Sequence, residues 1–134
     1  MGVPMTVEID GLTCRLTHGP SGASISTVPP RDNGGDGSTF SPTDLLAASL
    51  AACALSTLAL VSAREGLRFH GGRARLEKEM SPPPRRVAAV PVVLTLPAAT
   101  PVEQRPRLEE IARECPVARS LHPEVQVSMR FEYV

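Results

Sequence analysis

Apolar and polar residues alternate over Pro4-Met5-Thr6-Val7-Glu8-Ile9, a period of two that predicts a strand. Asp10-Gly11 then predicts a tight hairpin turn. Alternation resumes from Leu12 to His18, with Leu12, Cys14 and Leu16 on one face and Thr13, Arg15 and Thr17 on the other. Gly19-Pro20-Ser21-Gly22 marks a second turn, and Ala23–Val28 a third strand. Residues 1–28 therefore read as a three-stranded meander whose packed face takes Cys14.

After the turn-rich loop 29–41 the pattern changes. Ser41 followed by Pro42 is a helix start: a capping hydroxyl, then a proline at the first helical position. Asp44 suits the positive end of the helix dipole and Arg64 the negative end. Between those two residues no side chain is charged, and Gly66 supplies the stop. The helix is expected over 42–65. Residues 67–97 then read as a β-hairpin, with strands at Leu67–Met80 and Arg86–Leu96, and Pro91 places the second strand at an edge or at a bulge. A helical segment is expected over 106–121. Its first part runs from Pro106 to Cys115, where Leu108, Ile111, Ala112 and Cys115 recur at helical spacing, and Pro116 starts a short further turn. A last strand covers 126–134. The order βββ, long helix, ββ, helix, β segregates strands from helices. It predicts one α+β domain over 1–134, with helices on one face of an antiparallel sheet and a long buried central helix carrying Cys53.

Composition narrows the function. Fourteen Lys and Arg balance fourteen Asp and Glu, so no basic excess points to nucleic acid or to a membrane surface. Aromatics are 3% of the chain, too few for base-stacking platforms. The apolar run 45–63 reaches the lower limit for a membrane span. Its Ala, Ser and Cys content gains little from lipid, and its flanks are polar, so a buried helix is the better reading and no membrane is expected. The start has no basic end followed by an apolar stretch, so no secretory leader is read there. Three cysteines without CxxC spacing, and scattered His18, His70 and His122, argue against a metal site. Free or redox-active thiols in the cytoplasm fit this usage.

Cys53 and Cys115 both belong to apolar helical faces. Buried cysteines often act as small hydrophobes, and burial alone raises a thiol's pKa. If the second helix packs on the first, the two sulfurs approach each other. Cys53 then becomes the attacking thiolate and Cys115 the thiol that resolves its sulfenic acid, in a pocket whose apolar walls favour apolar substrates.

Two segments carry a resemblance. "FSPTDLLAASLAACALSTLA" resembles the proline-led central helix of the OsmC/Ohr family, the osmotically inducible and organic-hydroperoxide-resistance proteins, with Cys53 at its first cysteine. "ARECPVARSLHPEV" resembles that family's second-cysteine motif. The glycine-rich run "DNGGDGSTFSPTDL" is similar to the OsmC-like branch. The resemblance implies an intertwined homodimer with its active site at the interface. It implies cysteine-based reduction of organic hydroperoxides, with Cys53 peroxidatic and Cys115 resolving. An external dithiol would reduce the disulfide, and neither metal nor other cofactor is implied. Peroxidase members carry a glutamate directly after the helix proline and an arginine near the thiol. Here Thr43 follows Pro42, and Arg31, in the loop before the helix, and Arg15 are the candidate cations. A non-catalytic dimer binding a small apolar ligand at its interface is the alternative reading.

Overall fold

The structure is a computed structural model describing residues 1–134. The chain divides into two compact units, 1–45 and 46–134. The first holds a three-stranded antiparallel meander of β1 (Met5–Asp10), β2 (Thr13–His18) and β3 (Ser24–Thr27). Its register sets Val7 opposite Leu16, Leu16 opposite Ile25, and Ile9 opposite Cys14. The apolar side chains thus share one face, as alternation demands. That face is open: Met5, Val7, Ile9 and Ile25 are all more than half exposed, and Cys14 is only half-buried. The expected packed face for Cys14 is therefore present as a pattern but not as burial.

Helix α1 (Pro42–Glu65) begins as its sequence dictates. The Asp44 amide donates to Ser41 Oγ (3.1 Å), and the Ser41 amide donates to Asp44 Oδ2 (2.8 Å). This is a reciprocal capping box in which aspartate takes the place of the usual glutamate. Gly66, at φ +70°, ends the helix, and the Leu67 amide reaches back to the Ser62 carbonyl. By length and composition α1 would suit a membrane, yet it also carries a buried face of Ala47, Leu50, Ala51, Ala54, Leu58 and Ser62.

The second unit packs that face on a sheet built around β6 (Val87–Leu96). Val90, Val92 and Leu94 of β6 join Leu50, Leu58, Leu108 and Ile111 in one core. Each fully buried leucine contributes roughly 1.5–3 kcal/mol relative to exposure. β4 (Arg73–Leu76) and β5 (Glu79–Met80) both pair antiparallel with β6, while β7 (Gln126–Tyr133) pairs with it in parallel. The α+β class stands. The sheet is mixed rather than wholly antiparallel, because the helical segment after β6 carries the chain back before β7 enters.

The expected strand 67–80 is shorter than its pattern. Its first part, through Gly71 and Gly72, stays outside the ladder, and the remainder breaks into β4 and β5. The break falls opposite Pro91, which accepts from the Glu77 amide (3.2 Å) but has no N–H to return. Proline thus interrupts a central strand at an irregularity, one of the two outcomes its position allowed.

After β6 come α2 (Arg105–Arg113) and α3 (Pro116–Ser120). Arg107 joins α2 to Glu65 at the end of α1, and Tyr133 Oη donates to Glu109 Oε2 (2.8 Å), tying α2 to β7. The helix expected to reach Cys115 stops at Arg113. Cys115 is extended (φ −63°, ψ 155°) because it precedes Pro116, whose ring disfavours a helical residue before it.

Candidate functional site

Two thiols remote along the chain meet inside the unit 46–134. Cys53 lies midway along α1 and is half-buried; Cys115, between α2 and α3, is fully buried. Cys115 lies close enough to Cys53 for the Cys53 side chain to act on its ionisation. Its sulfur also faces the Leu50 carbonyl, one turn before Cys53 on the same helix (3.9 Å). The position follows from local sequence. The stripe Leu108, Ile111 and Ala112 docks α2 on the core, and the extended bend before Pro116 turns the next side chain down onto α1.

Burial pushes the Cys115 thiol up, and the neighbouring Cys53 side chain pushes the same way. The Ala118 and Val117 amides of the first turn of α3 pull against this without reversing it. Burial therefore favours the protonated form of Cys115, whose Sγ–H donates to the Leu50 carbonyl. The other polar group on the Cys53 sulfur is the hydroxyl of Thr57, one turn further along α1 (Sγ to Oγ1 3.8 Å). Sequence reasoning passed over Thr57. The signal was present, since residues four apart on a helix face each other.

The surface of α1 beside this pair is unusual. Leu46 and Leu60 are exposed, as are Ala52, Ser56 and Ala59 between them and Ala63 beyond, so the helix bears an uncovered face of mostly apolar residues next to Cys53.

Arg31 belongs to the other unit, in a single 3-10 turn of the glycine-rich loop. Its Nε donates to the Asp36 carbonyl (3.0 Å). Gly37, at φ +65°, makes room for this: a Cβ there would come within 2.9 Å of the Arg31 side chain. Gly35 is needed as strictly, since a Cβ would fall 1.6 Å from the Pro29 carbonyl oxygen. The loop is thus a compact cradle for one arginine. Arg15 pairs across the meander with Glu8 and Ser26. Histidine serves local turns: His18 Nδ1 contacts Ser21 Oγ (2.6 Å), and His122 Nδ1 accepts from the Glu124 amide (3.1 Å). No group of three His, Cys, Asp or Glu side chains is gathered as metal ligands would be.

A family profile described as OsmC-like protein matches residues 35–130, a stretch that contains both sulfurs. The chain belongs to the OsmC-like family. It shares 33% identity, over 98% of each chain, with a solved structure from Psychrobacter arcticus 273-4 described as an osmotic stress induced and detoxification response protein (TM-score 0.90). More distant OsmC-like structures share the fold. An organic hydroperoxide resistance protein from Elizabethkingia anophelis is 17% identical over 100% of this chain and 97% of its own (TM-score 0.80). Another, from Legionella pneumophila, is 18% identical over 98% and 97% (TM-score 0.75). None of the curated proteins compared with the chain matches it.

Proposed function

We propose that this OsmC-like protein is a thiol peroxidase for organic hydroperoxides, with Cys53 as the peroxidatic and Cys115 as the resolving cysteine. The observation that carries the reading is the adjacency of the two side chains, with the buried one held protonated. The Cys53 thiolate attacks one peroxide oxygen; an S–O bond forms and the O–O bond breaks. The leaving alkoxide takes a proton and departs as the alcohol, and the sulfur is oxidised to sulfenic acid. The Cys115 thiol then attacks that sulfur. An S–S bond forms, and the hydroxyl leaves with the Cys115 proton as water. An external dithiol returns the pair to thiols by exchange, becoming a disulfide itself. A reducing compartment such as the cytoplasm suits this cycle. Two sulfurs suffice for the electrons, so the cycle calls for no metal or organic cofactor.

Apolar surroundings favour alkyl hydroperoxides over hydrogen peroxide. The core side chains around the pair are Leu50, Ala54 and Ala112, and the hydroperoxide resistance described for the Legionella and Elizabethkingia relatives supports the same substrate class. A second copy of the chain is the proposed cover for the open faces of α1 and of the meander, because exposed apolar patches of this kind mark interfaces. The second reading is a non-catalytic or weakly active dimer that binds a small apolar ligand at its interface. A cavity of about 310 Å³ lined by Leu121, Val125, Val127 and Met129, with Arg113 and His122, gives a single chain room for a small ligand as well.

One equivalent of cumene hydroperoxide added to the reduced protein separates the two. The peroxidase loses two thiols within minutes, Cys53→Ser loses none, and Cys115→Ser loses one. A wild-type protein that keeps all three thiols is a binder and not a peroxidase.

A further inference from the structure

We propose that Thr57 is a positioning residue for Cys53: its hydroxyl fixes the sulfur's direction and donates a hydrogen bond to it once the thiol proton has left. The purpose of this contact rests on the peroxidase reading; its geometry does not.

Three buried or half-buried hydroxyls on α1 show that the contact is not a default of helical geometry. Ser49 Oγ turns back onto the helix and donates to the Leu46 carbonyl (2.7 Å), the ordinary fate of a hydroxyl in a helix. Ser62 Oγ is buried with no partner. Thr57 Oγ1 instead meets the Cys53 sulfur at 3.8 Å. A helical threonine divides between two χ1 rotamers, and here Oγ1 meets the sulfur rather than a helix carbonyl.

The direction of the bond follows from what each atom can do. While Cys53 is a thiol, either atom can donate. A thiolate can only accept, so Thr57 then supplies the proton. Hydrogen bonds to an ionised partner are roughly twice as strong as neutral ones, and the contact therefore favours the thiolate. The titratable group facing Cys53 from the α2–α3 bend is Cys115, whose own ionisation is disfavoured by burial. Across the core β6 presents Val90, Val92 and Leu94, none of which titrates. The Thr57 hydroxyl is thus the neutral donor available at the Cys53 sulfur, since the Cys115 thiol donates to the Leu50 carbonyl.

The test is the pH dependence of iodoacetamide alkylation at Cys53, followed by peptide mass spectrometry. Reduced wild type is compared with Thr57→Val, Thr57→Ala and Thr57→Ser, with a melting curve for each. The midpoint of the profile should rise by about half a unit or more in the Val and Ala variants. Their rate at pH 7 should fall roughly threefold or more, and the Ser variant should return to within about twofold of wild type. Unmoved profiles in both Val and Ala overturn the proposal. So does a shift that Ser does not restore, which would mark lost packing. Failure of the peroxidase reading looks different: cumene hydroperoxide would consume no thiols, while the alkylation profile would still depend on Thr57.

Discussion

The two units of this chain solve opposite problems. Residues 46–134 close a core: Leu50, Leu58, Leu94 and Leu108 are fully buried, and Cys115 with them. Residues 1–45 are held by ladder hydrogen bonds and a tight glycine loop, while Met5, Val7, Ile9 and Ile25 stay exposed. Both sulfurs lie in the unit that packs on itself. The cradled arginine lies in the unit whose apolar face is still open. A rigid core suits a pair of atoms that must stay within bonding reach, since a small displacement would separate them. An exposed apolar face is the kind of surface that marks an interaction site.

Substitution on each side puts this contrast to the test. Leu58→Ala empties a fully buried site on α1 and should cost about 2–5 kcal/mol in denaturant unfolding. A cost within about 0.5 kcal/mol, as for a surface change, would mean that the helix does not pack as described. Ile9→Lys puts a charge on the open face of the meander. Sedimentation should show the wild type as a dimer and this variant shifted toward the protomer, with the core of 46–134 intact by circular dichroism. A variant that sediments like wild type would leave the open face without a role in pairing.

The smallest effect is alkaline. Because the folded pKa of Cys115 is raised, its contribution is complete below the unfolded thiol's value, about 8.5, and fades as pH climbs through the higher folded value. The melting temperature should therefore fall above about pH 8.5, by roughly a few degrees more in wild type than in Cys115→Ser, which has no thiol to ionise there. Tyr133, also pushed up, chiefly by burial, acts with the same sign in both proteins and cancels. Parallel curves would mean that Cys115 ionises as readily folded as unfolded.

Local chemistry was legible in the sequence; long-range geometry was not. Ser41-Pro42 and Gly66 delimit α1 because capping and stopping are decided within a few residues. The stripe Leu108, Ile111 and Ala112 was readable for the same reason, although the helix stops at Arg113 and Cys115 lies beyond it in an extended bend. By contrast, β7 enters parallel to β6, a pairing that no local pattern encodes. The break between β4 and β5 depends on which residue lands opposite Pro91, hence on register. On α1 the sequence is apolar on all sides, so periodicity could not tell the buried face from the open one. Thr57 was hidden by its neighbours: a hydroxyl in an apolar run reads as filler until its four-residue offset from Cys53 is noticed.

The bend before Pro116 places Cys115 where two helices join, so a bond from there to α1 would be a clasp as well as a chemical product. Linking residues 53 and 115 closes a large loop, and by the chain-entropy account such a ring lowers the freedom of the unfolded chain by ~4 kcal/mol. On the proposed peroxidase reading, each oxidation and reduction would alternately tighten and release the fold, making resistance to unfolding a readout of the redox state of the pair.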